Sequence, residues 1–323
     1  MKVLVTGASG AIGKQLVPKL VSAGHTVTGI TTSPEKREML RGLGAEPVVA
    51  DVLDAEEIGS VVAAASPEAI IHEATALAGD LDVRHFDRSF AVTNRLRSEG
   101  TDNLLAAAVA AGARRFIAQS YGNWNYERDG TRAKREEDRF DPAPPPAQRR
   151  SLDAIVRLER AVLGAPGIEG IALRYGNFYG PGTGLAEDGD VAALVRKRRL
   201  PVIGAGTGVW SFVHVDDAAT ATLAAIDRGA SGAYNVADDE PVAVADWLPE
   251  LARALDAPPP RHVPVWLGRL AAGAVGVSMM TRIRGASNAK AKRELGWRPR
   301  YATYREGFRD GLGVTAAGSA LTH

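Results

Sequence analysis

Cysteine is absent from all 323 residues. Its absence excludes a disulfide framework, thiolate catalysis and any cysteine-ligated metal. Charge of one sign is missing too: 39 Lys and Arg stand against 38 Asp and Glu, a formal net charge of +1. That balance gives no footing for nucleic acid or an acidic membrane surface. Aromatic residues are few, at 6%. Long hydrophobic runs are also lacking. The most apolar stretch, 263–280, contains Arg269 and several glycines and is too short and polar to span a bilayer. The chain enters a strand pattern almost at once, with no leader pattern, so the expected location is the cytoplasm. No metal site is expected. His72 lies on an apolar strand and His214 precedes Asp216-Asp217 at a helix start, so both read as structural. Hydrophobic residues make up 45%, enough for one large or two modest domains.

The most informative segment present is Thr6-Gly7-Ala8-Ser9-Gly10-Ala11-Ile12-Gly13. It follows the apolar run Lys2-Val3-Leu4-Val5 and opens into a helical pattern from Lys14. Strand, glycine turn and helix together are the context of a dinucleotide-binding fingerprint. Gly7 suits the tight turn. Gly10 lets backbone approach a pyrophosphate, which Ser9, Ala11 and Ile12 would flank at the helix N-terminus. Gly13 permits close helix–strand packing.

Further strand patterns fall near 25–31, 46–50, 69–73, 115–119 and 170–174, separated by Ala/Leu-rich segments of helical length. The alternation predicts a doubly wound parallel α/β sheet of Rossmann type. Two regions break it. Segment 123–148, charged and then proline-rich, reads as an irregular surface insertion, and loops of that length are often lids. After Asn177 the elements shorten, with helical runs near 187–199, 215–227, 243–255 and 303–312. The expected division is a nucleotide-binding domain over 1–176 and a smaller, mostly helical substrate region over 177–323, with segments returning to the first domain near 209–236.

Several separated stretches resemble the extended short-chain dehydrogenase/reductase family, also called the NAD-dependent epimerase/dehydratase family. They are the opening glycine turn, Asp51-Val52-Leu53-Asp54, Ile70-Ile71-His72-Glu73-Ala74-Thr75-Ala76, Gly100 to Ala108, Leu173-Arg174-Tyr175-Gly176-Asn177-Phe178-Tyr179-Gly180-Pro181-Gly182, Phe212 to Asp217, Tyr234-Asn235-Val236 and Ala291 to Trp297. They run in family order from residue 3 to about 312. The resemblance implies that Asp51, with Val52 beside it, meets the adenine. It places Ala74, Thr75 and Ala76 beside the coenzyme, and the nicotinamide near Thr75, Gln119 and Tyr175. It also implies a homodimer through first-domain helices, a surface that the insertion and the altered helix 149–164 leave open.

The coenzyme is read from the end of the second strand. An acid there would favour NAD, and none is present. Thr31, Thr32 and Ser33 are followed by Lys36 and Arg37, good chemistry for a 2′-phosphate. NADP(H) is the preferred coenzyme, and Glu35 leaves NAD(H) open.

The catalytic pair is where the resemblance fails. The family carries a serine and then Tyr-x-x-x-Lys, and no Tyr-x-x-x-Lys exists in this chain. Registering the helix on Glu159 puts Ser151 at the tyrosine position and Ile155 at the lysine position. Tyr121 falls near the family's catalytic serine, one place after Ser120. Tyr121 is therefore the candidate proton donor, with Ser120 or Ser151 as a hydrogen-bonding helper. With a free pKa of about 10 and no lysine, it is a usable acid and a poor base.

For the small-molecule substrate, Asn177 is the candidate polar contact by family position. Trp210 stands where nucleotide-sugar members hold an arginine, which removes a diphosphate grip. Phe178, Trp124, Trp210 and 263–267 suggest an apolar pocket. The expectation is an atypical NADP(H)-dependent reductase acting on a carbonyl of a small, fairly apolar substrate. Two rivals stand beside it: a coenzyme-binding module without turnover, and an epimerase or dehydratase that recycles bound coenzyme.

Overall fold

The computed structural model describes residues 1–77 and 82–313. Seven strands form one parallel sheet: β1 (Lys2–Thr6), β2 (Thr26–Thr31), β3 (Glu46–Val49), β4 (Ala69–His72), β5 (Arg115–Tyr121), β6 (Glu169–Tyr175) and β7 (Gly232–Val236). The spatial order is β3-β2-β1-β4-β5-β6-β7. The order reverses at β1, and the crevice beyond the carboxyl ends of β1 and β4 is where a doubly wound sheet takes its ligand. A parallel sheet is covered on both faces, so its strands read as unbroken apolar runs. Val3, Val5, Ile71, Ile117, Ile171 and Leu173 pack on one face. Leu4, Ile30, Ile70 and Phe116 pack on the other.

Helix α1 (Ala11–Ser22) lies on the first face beside helix Val215–Arg228. Ala218, Ala219, Ala221 and Ala225 of that helix join Leu16 and Leu20 in one core. The second face is covered by helices Ala55–Ala65, Thr101–Ala111 and Pro146–Leu163. Gly232–Val236, as β7, pairs with β6 at the edge of this sheet. The end of the expected second region, 314–323, lies outside the described residues.

The remaining elements gather around a separate aromatic core. Trp247, Phe212, Tyr304, Phe308 and Tyr179 are fully buried there, among helices Asp190–Arg196, Val244–Ala254, Val265–Thr281 and Tyr304–Asp310. Two expectations are corrected. Segment 123–148 is not a free insertion: Ala133–Lys134 pairs with Gly285–Ala286, Lys134 is buried, and Arg128 pairs with Asp141 at 2.6 Å. Segment 263–267, read as apolar pocket wall, presents its helical part to solvent. Trp266, at 66% exposed, faces solvent with its helical neighbours Val265 and Leu267.

Candidate functional site

The glycine turn has the geometry its spacing predicts. Gly7 adopts φ 70°, and a Cβ there would lie 2.7 Å from the Glu73 carbonyl carbon. A Cβ on Gly13 would lie 2.4 Å from the Ala8 carbonyl oxygen. Gly10 is different: it donates to Gly7 O at 2.9 Å, and a Cβ there meets only that oxygen, at 3.2 Å. Gly10 caps α1 without a side-chain acceptor, and the first turn holds no acid. Helix N–H groups therefore stand free at a bare positive end, a donor set that fits a pyrophosphate.

Ser9 Oγ lies 3.2 Å from Thr31 Oγ1, and Thr31 Oγ1 accepts from Ser33 N at 3.2 Å. The pair stitches the glycine turn to the end of β2. Thr31 is buried and already bonded, a correction to its reading as a free phosphate donor. Thr32, Lys36 and Arg37 stay exposed. Asp51 is exposed, and its Oδ1 accepts from Leu53 N at 2.9 Å. Val52 is corrected as well: its side chain belongs to the core and its carbonyl accepts from Asn103 Nδ2 at 3.0 Å. Ala74 and Thr75 are half-buried after β4, and Ala76 N donates to Thr93 Oγ1 at 3.1 Å.

Beneath that rim lies a polar network. Tyr175 Oη donates to Glu73 Oε1 at 2.9 Å and meets Thr222 Oγ1 at 2.6 Å. The Gln119 amide, turned nitrogen-first, donates to Glu73 Oε2 at 3.1 Å. Burial drives the Glu73 carboxyl up to about 8, partly opposed by the Tyr175 bond. Tyr175 is thus corrected from a coenzyme contact to a fully buried member of this network.

The two candidate hydroxyls on β5 point in opposite directions, as successive strand residues must. Ser120 is buried and donates to Glu159 Oε1 at 2.6 Å. Glu159 in turn receives Arg174 Nε at 2.8 Å and Nη2 at 2.6 Å. Ser120 is therefore spent in the interior and does not assist at the cleft. Tyr121 turns the other way and donates to Asn177 Oδ1 at 2.7 Å. Burial holds its phenol well above the usual tyrosine range. Ser151 is fully buried and accepts from Asn94 Nδ2 at 3.0 Å, while Ile155 sits in an apolar cluster with Phe86, Phe90 and Trp124. No serine helper reaches Tyr121.

The substrate candidates divide. Asn177 joins Tyr121 and also donates through Nδ2 to Ser211 O at 3.3 Å. Phe178 packs its ring 5.2 Å from Tyr175. Trp124 is buried, edge-on to Phe86 at 5.5 Å, and is core rather than an open wall. Trp210 donates Nε1 to Met279 O at 2.9 Å and packs 5.1 Å from Trp247, which ties it to the aromatic core. His72 is buried between Thr6 Oγ1, at 2.7 Å, and Leu96 O, at 3.2 Å, and desolvation lowers it to about 4. His214 caps helix Val215–Arg228 by accepting from Asp216 N at 3.1 Å. Among the described residues no group of three or more His, Asp or Glu could hold a metal, and no helix is long and apolar enough to cross a membrane. The sequence reading missed Arg97, Asn94 and Glu73. Glu73 had a signal: a carboxylate directly following Ile70-Ile71-His72 is out of place in a buried strand.

Comparison with known proteins agrees with this fold. A model of the NAD dependent epimerase/dehydratase family matches residues 3–237. A 3-diazoavenalumate denitrifying reductase from a Streptomyces species is 42% identical over 309 residues, 95% of this chain and 99% of the relative. A 2-alkyl-3-oxoalkanoate reductase from Stenotrophomonas maltophilia is 26% identical over 80% of this chain and 77% of the relative. In fold the chain is similar to a UDP-glucose 4-epimerase from Thermotoga maritima, with a TM-score of 0.76, 24% identity and coverage of 99% and 100%. The reductase-named relatives support an oxidoreductase. The chain belongs to the NAD dependent epimerase/dehydratase family.

Proposed function

We propose that this protein is an NADP(H)-dependent reductase that delivers hydride to a diazo-bearing carbon of a small, fairly apolar substrate, with release of dinitrogen. The observation that carries this reading is the fate of the acid–base positions: Ser151 and Ile155 are fully buried, one tied to Asn94 and the other in apolar packing. Burial outweighs the nearby Arg97 and keeps the Tyr121 phenol protonated. Gly7, Gly10, Gly13 and the bare end of α1 would hold the pyrophosphate, with Ser9, Thr32, Lys36 and Arg37 toward the adenosine. A reduced nicotinamide bound there would supply a hydride. A diazonium carbon that accepts it gains a C–H bond and expels dinitrogen, so no oxyanion forms and no proton donor is needed. That requirement matches the chain, and the 42% identical relative is named for a diazo substrate and a denitrifying reduction.

A second reading rests on one contact. The Tyr121 hydroxyl, fixed at 2.7 Å from Asn177 Oδ1 and firmly protonated, would serve as the acid in reduction of a carbonyl. Oxidation of an alcohol, the opening step of an epimerase or dehydratase, would need a base that this site does not offer. Purified protein should be given NADPH, then NADH, with an aryl diazo carboxylate or a ketone of similar size. Coenzyme oxidation matched by dinitrogen release, and kept within about 10-fold by Tyr121→Phe, supports the first reading. Ketone reduction lost at least about 100-fold in Tyr121→Phe supports the second. Binding of neither coenzyme overturns both.

A further inference from the structure

A cation is buried here with no hydrogen-bonded counter-charge among the described residues. Arg97 is 4% exposed. Its Nε and Nη1 are buried and without a hydrogen-bond partner among the described residues. It stands on a single wide helical turn, Leu96–Gly100, between helix Ala91–Arg95 and helix Thr101–Ala111. Wide turns of this kind carry one extra residue and recur at functional sites. Here the Leu96 carbonyl is bonded by His72 Nε2 at 3.2 Å, with Thr101 Oγ1 at 3.5 Å. A charge that would otherwise face water is thereby turned inward.

The turn packs against helix Pro146–Leu163, where Ser151 and Ile155 replace the family's tyrosine and lysine. Desolvation lowers the guanidinium to about 10, partly opposed by the nearby Tyr121. Tyr121 itself packs on the cluster of Phe86, Phe90, Trp124 and Ile155. An uncompensated buried cation is destabilising in the empty protein. A buried guanidinium with donors still free among the described residues suits an anion such as a carboxylate, and apolar rings nearby suit an unsaturated or aromatic body. The coenzyme's pyrophosphate already has its place at α1.

We propose that Arg97 is the anion anchor of the substrate site, and that the substrate is a small aromatic or unsaturated carboxylate held by this guanidinium beside Tyr121. The inference rests on the reductase reading for the site's purpose, but its test needs no turnover.

The probes are cinnamate and its neutral methyl ester, titrated calorimetrically into the NADPH-loaded protein. The wild type should bind cinnamate at least about 10-fold more tightly than the ester. Arg97→Gln should weaken cinnamate about 30-fold and leave the ester and NADPH within about 3-fold. Arg97→Lys should restore part of the preference for the anion. Arg97→Gln should also melt no lower than the wild type without ligand, because it removes a buried charge that has no hydrogen-bond partner among the described residues. An unchanged acid-to-ester ratio in Arg97→Gln overturns the proposal. Loss of NADPH binding with that ratio intact assigns the cation to the coenzyme and overturns it too, as does a wild type that prefers the ester or takes up neither probe. If the anchor holds and no acceptor is reduced, the reductase reading fails alone.

Discussion

Tyr121 and Asn177 meet across the cleft: the phenol on the last residue of β5 donates to Oδ1 of the side chain just beyond β6, at 2.7 Å. The bond closes the ends of two adjacent strands and fixes the hydroxyl that the second reading takes as its acid. Removing either partner strands the other half-buried. Tyr121→Phe and Asn177→Ala should each cost about 1–2 kcal/mol, and the double variant should fall short of the sum by about 1 kcal/mol. Urea denaturation of the four proteins measures the cycle, and strictly additive losses would show that the bond contributes nothing. Because burial raises the phenol, it stays protonated across the assay range. A pH–rate profile from about 6 to 9 should carry no limb from phenolate formation.

Ser120 gives the contrasting case. Its hydroxyl completes the buried Glu159–Arg174 pair, whose carboxylate receives Arg174 Nη2 at 2.6 Å. Ser120→Ala should therefore destabilise by about 1–2 kcal/mol with turnover within about 2-fold of wild type. Glu159→Gln, which leaves a buried guanidinium short of its counter-charge, should cost about 3–5 kcal/mol. If Ser120→Ala lost turnover more than about 10-fold with an unchanged melt, Ser120 would belong to the chemistry after all.

These two residues show what a chain reveals on its own. β1, the glycine turn and α1 were legible because everything that forms them is local: an apolar run, three glycines at fixed spacing, then a helical period. The strands followed for the same reason. The aim of Ser120 was not, because its partner Glu159 lies 39 residues away, on helix Pro146–Leu163. Segment 123–148 read as solvated because its anchors are distant. Tyr126 bonds Asn235 at 2.5 Å, and Arg174 reaches Tyr126 at 3.0 Å. Arg97 was the least visible. Between Arg95 and Glu99, which do pair on the surface at 2.7 Å, it looks like one more solvated charge. Only the wide turn rotates it inward.

Gly10 and Gly13 should separate binding from folding. A side chain at Gly13 collides with the Ala8 backbone, so Gly13→Ala should destabilise by at least about 2 kcal/mol. At Gly10 the neighbouring backbone has only to yield slightly, and the residue is exposed. Gly10→Glu should melt within a few degrees of wild type, yet lose NADPH and NADH affinity by more than about 100-fold. An acid would then occupy the helix end that the pyrophosphate needs. Coenzyme fluorescence titration beside a thermal melt gives both readouts. Normal binding by folded Gly10→Glu would move the coenzyme elsewhere.

Glu73 makes stability depend on pH in the direction opposite to that of most carboxylates. Its folded value of about 8 lies above the ordinary 4.5. Below about 4.5 both states are protonated and nothing is lost. As pH rises from there, the unfolded chain releases this proton while the folded one keeps it. Glu73 therefore withdraws stability progressively up to about pH 8, where the folded group ionises too. A glutamine keeps the acceptor for Tyr175 and faces an amide, Gln119, that can turn to suit it. Glu73→Gln should leave the melting temperature at about pH 5 nearly unchanged and raise it by at least about 3 °C at pH 8.5. The gain should grow steadily between those values. Equal shifts at both ends would mean that Glu73 ionises normally inside the fold, and that its network with Tyr175 and Gln119 is charged.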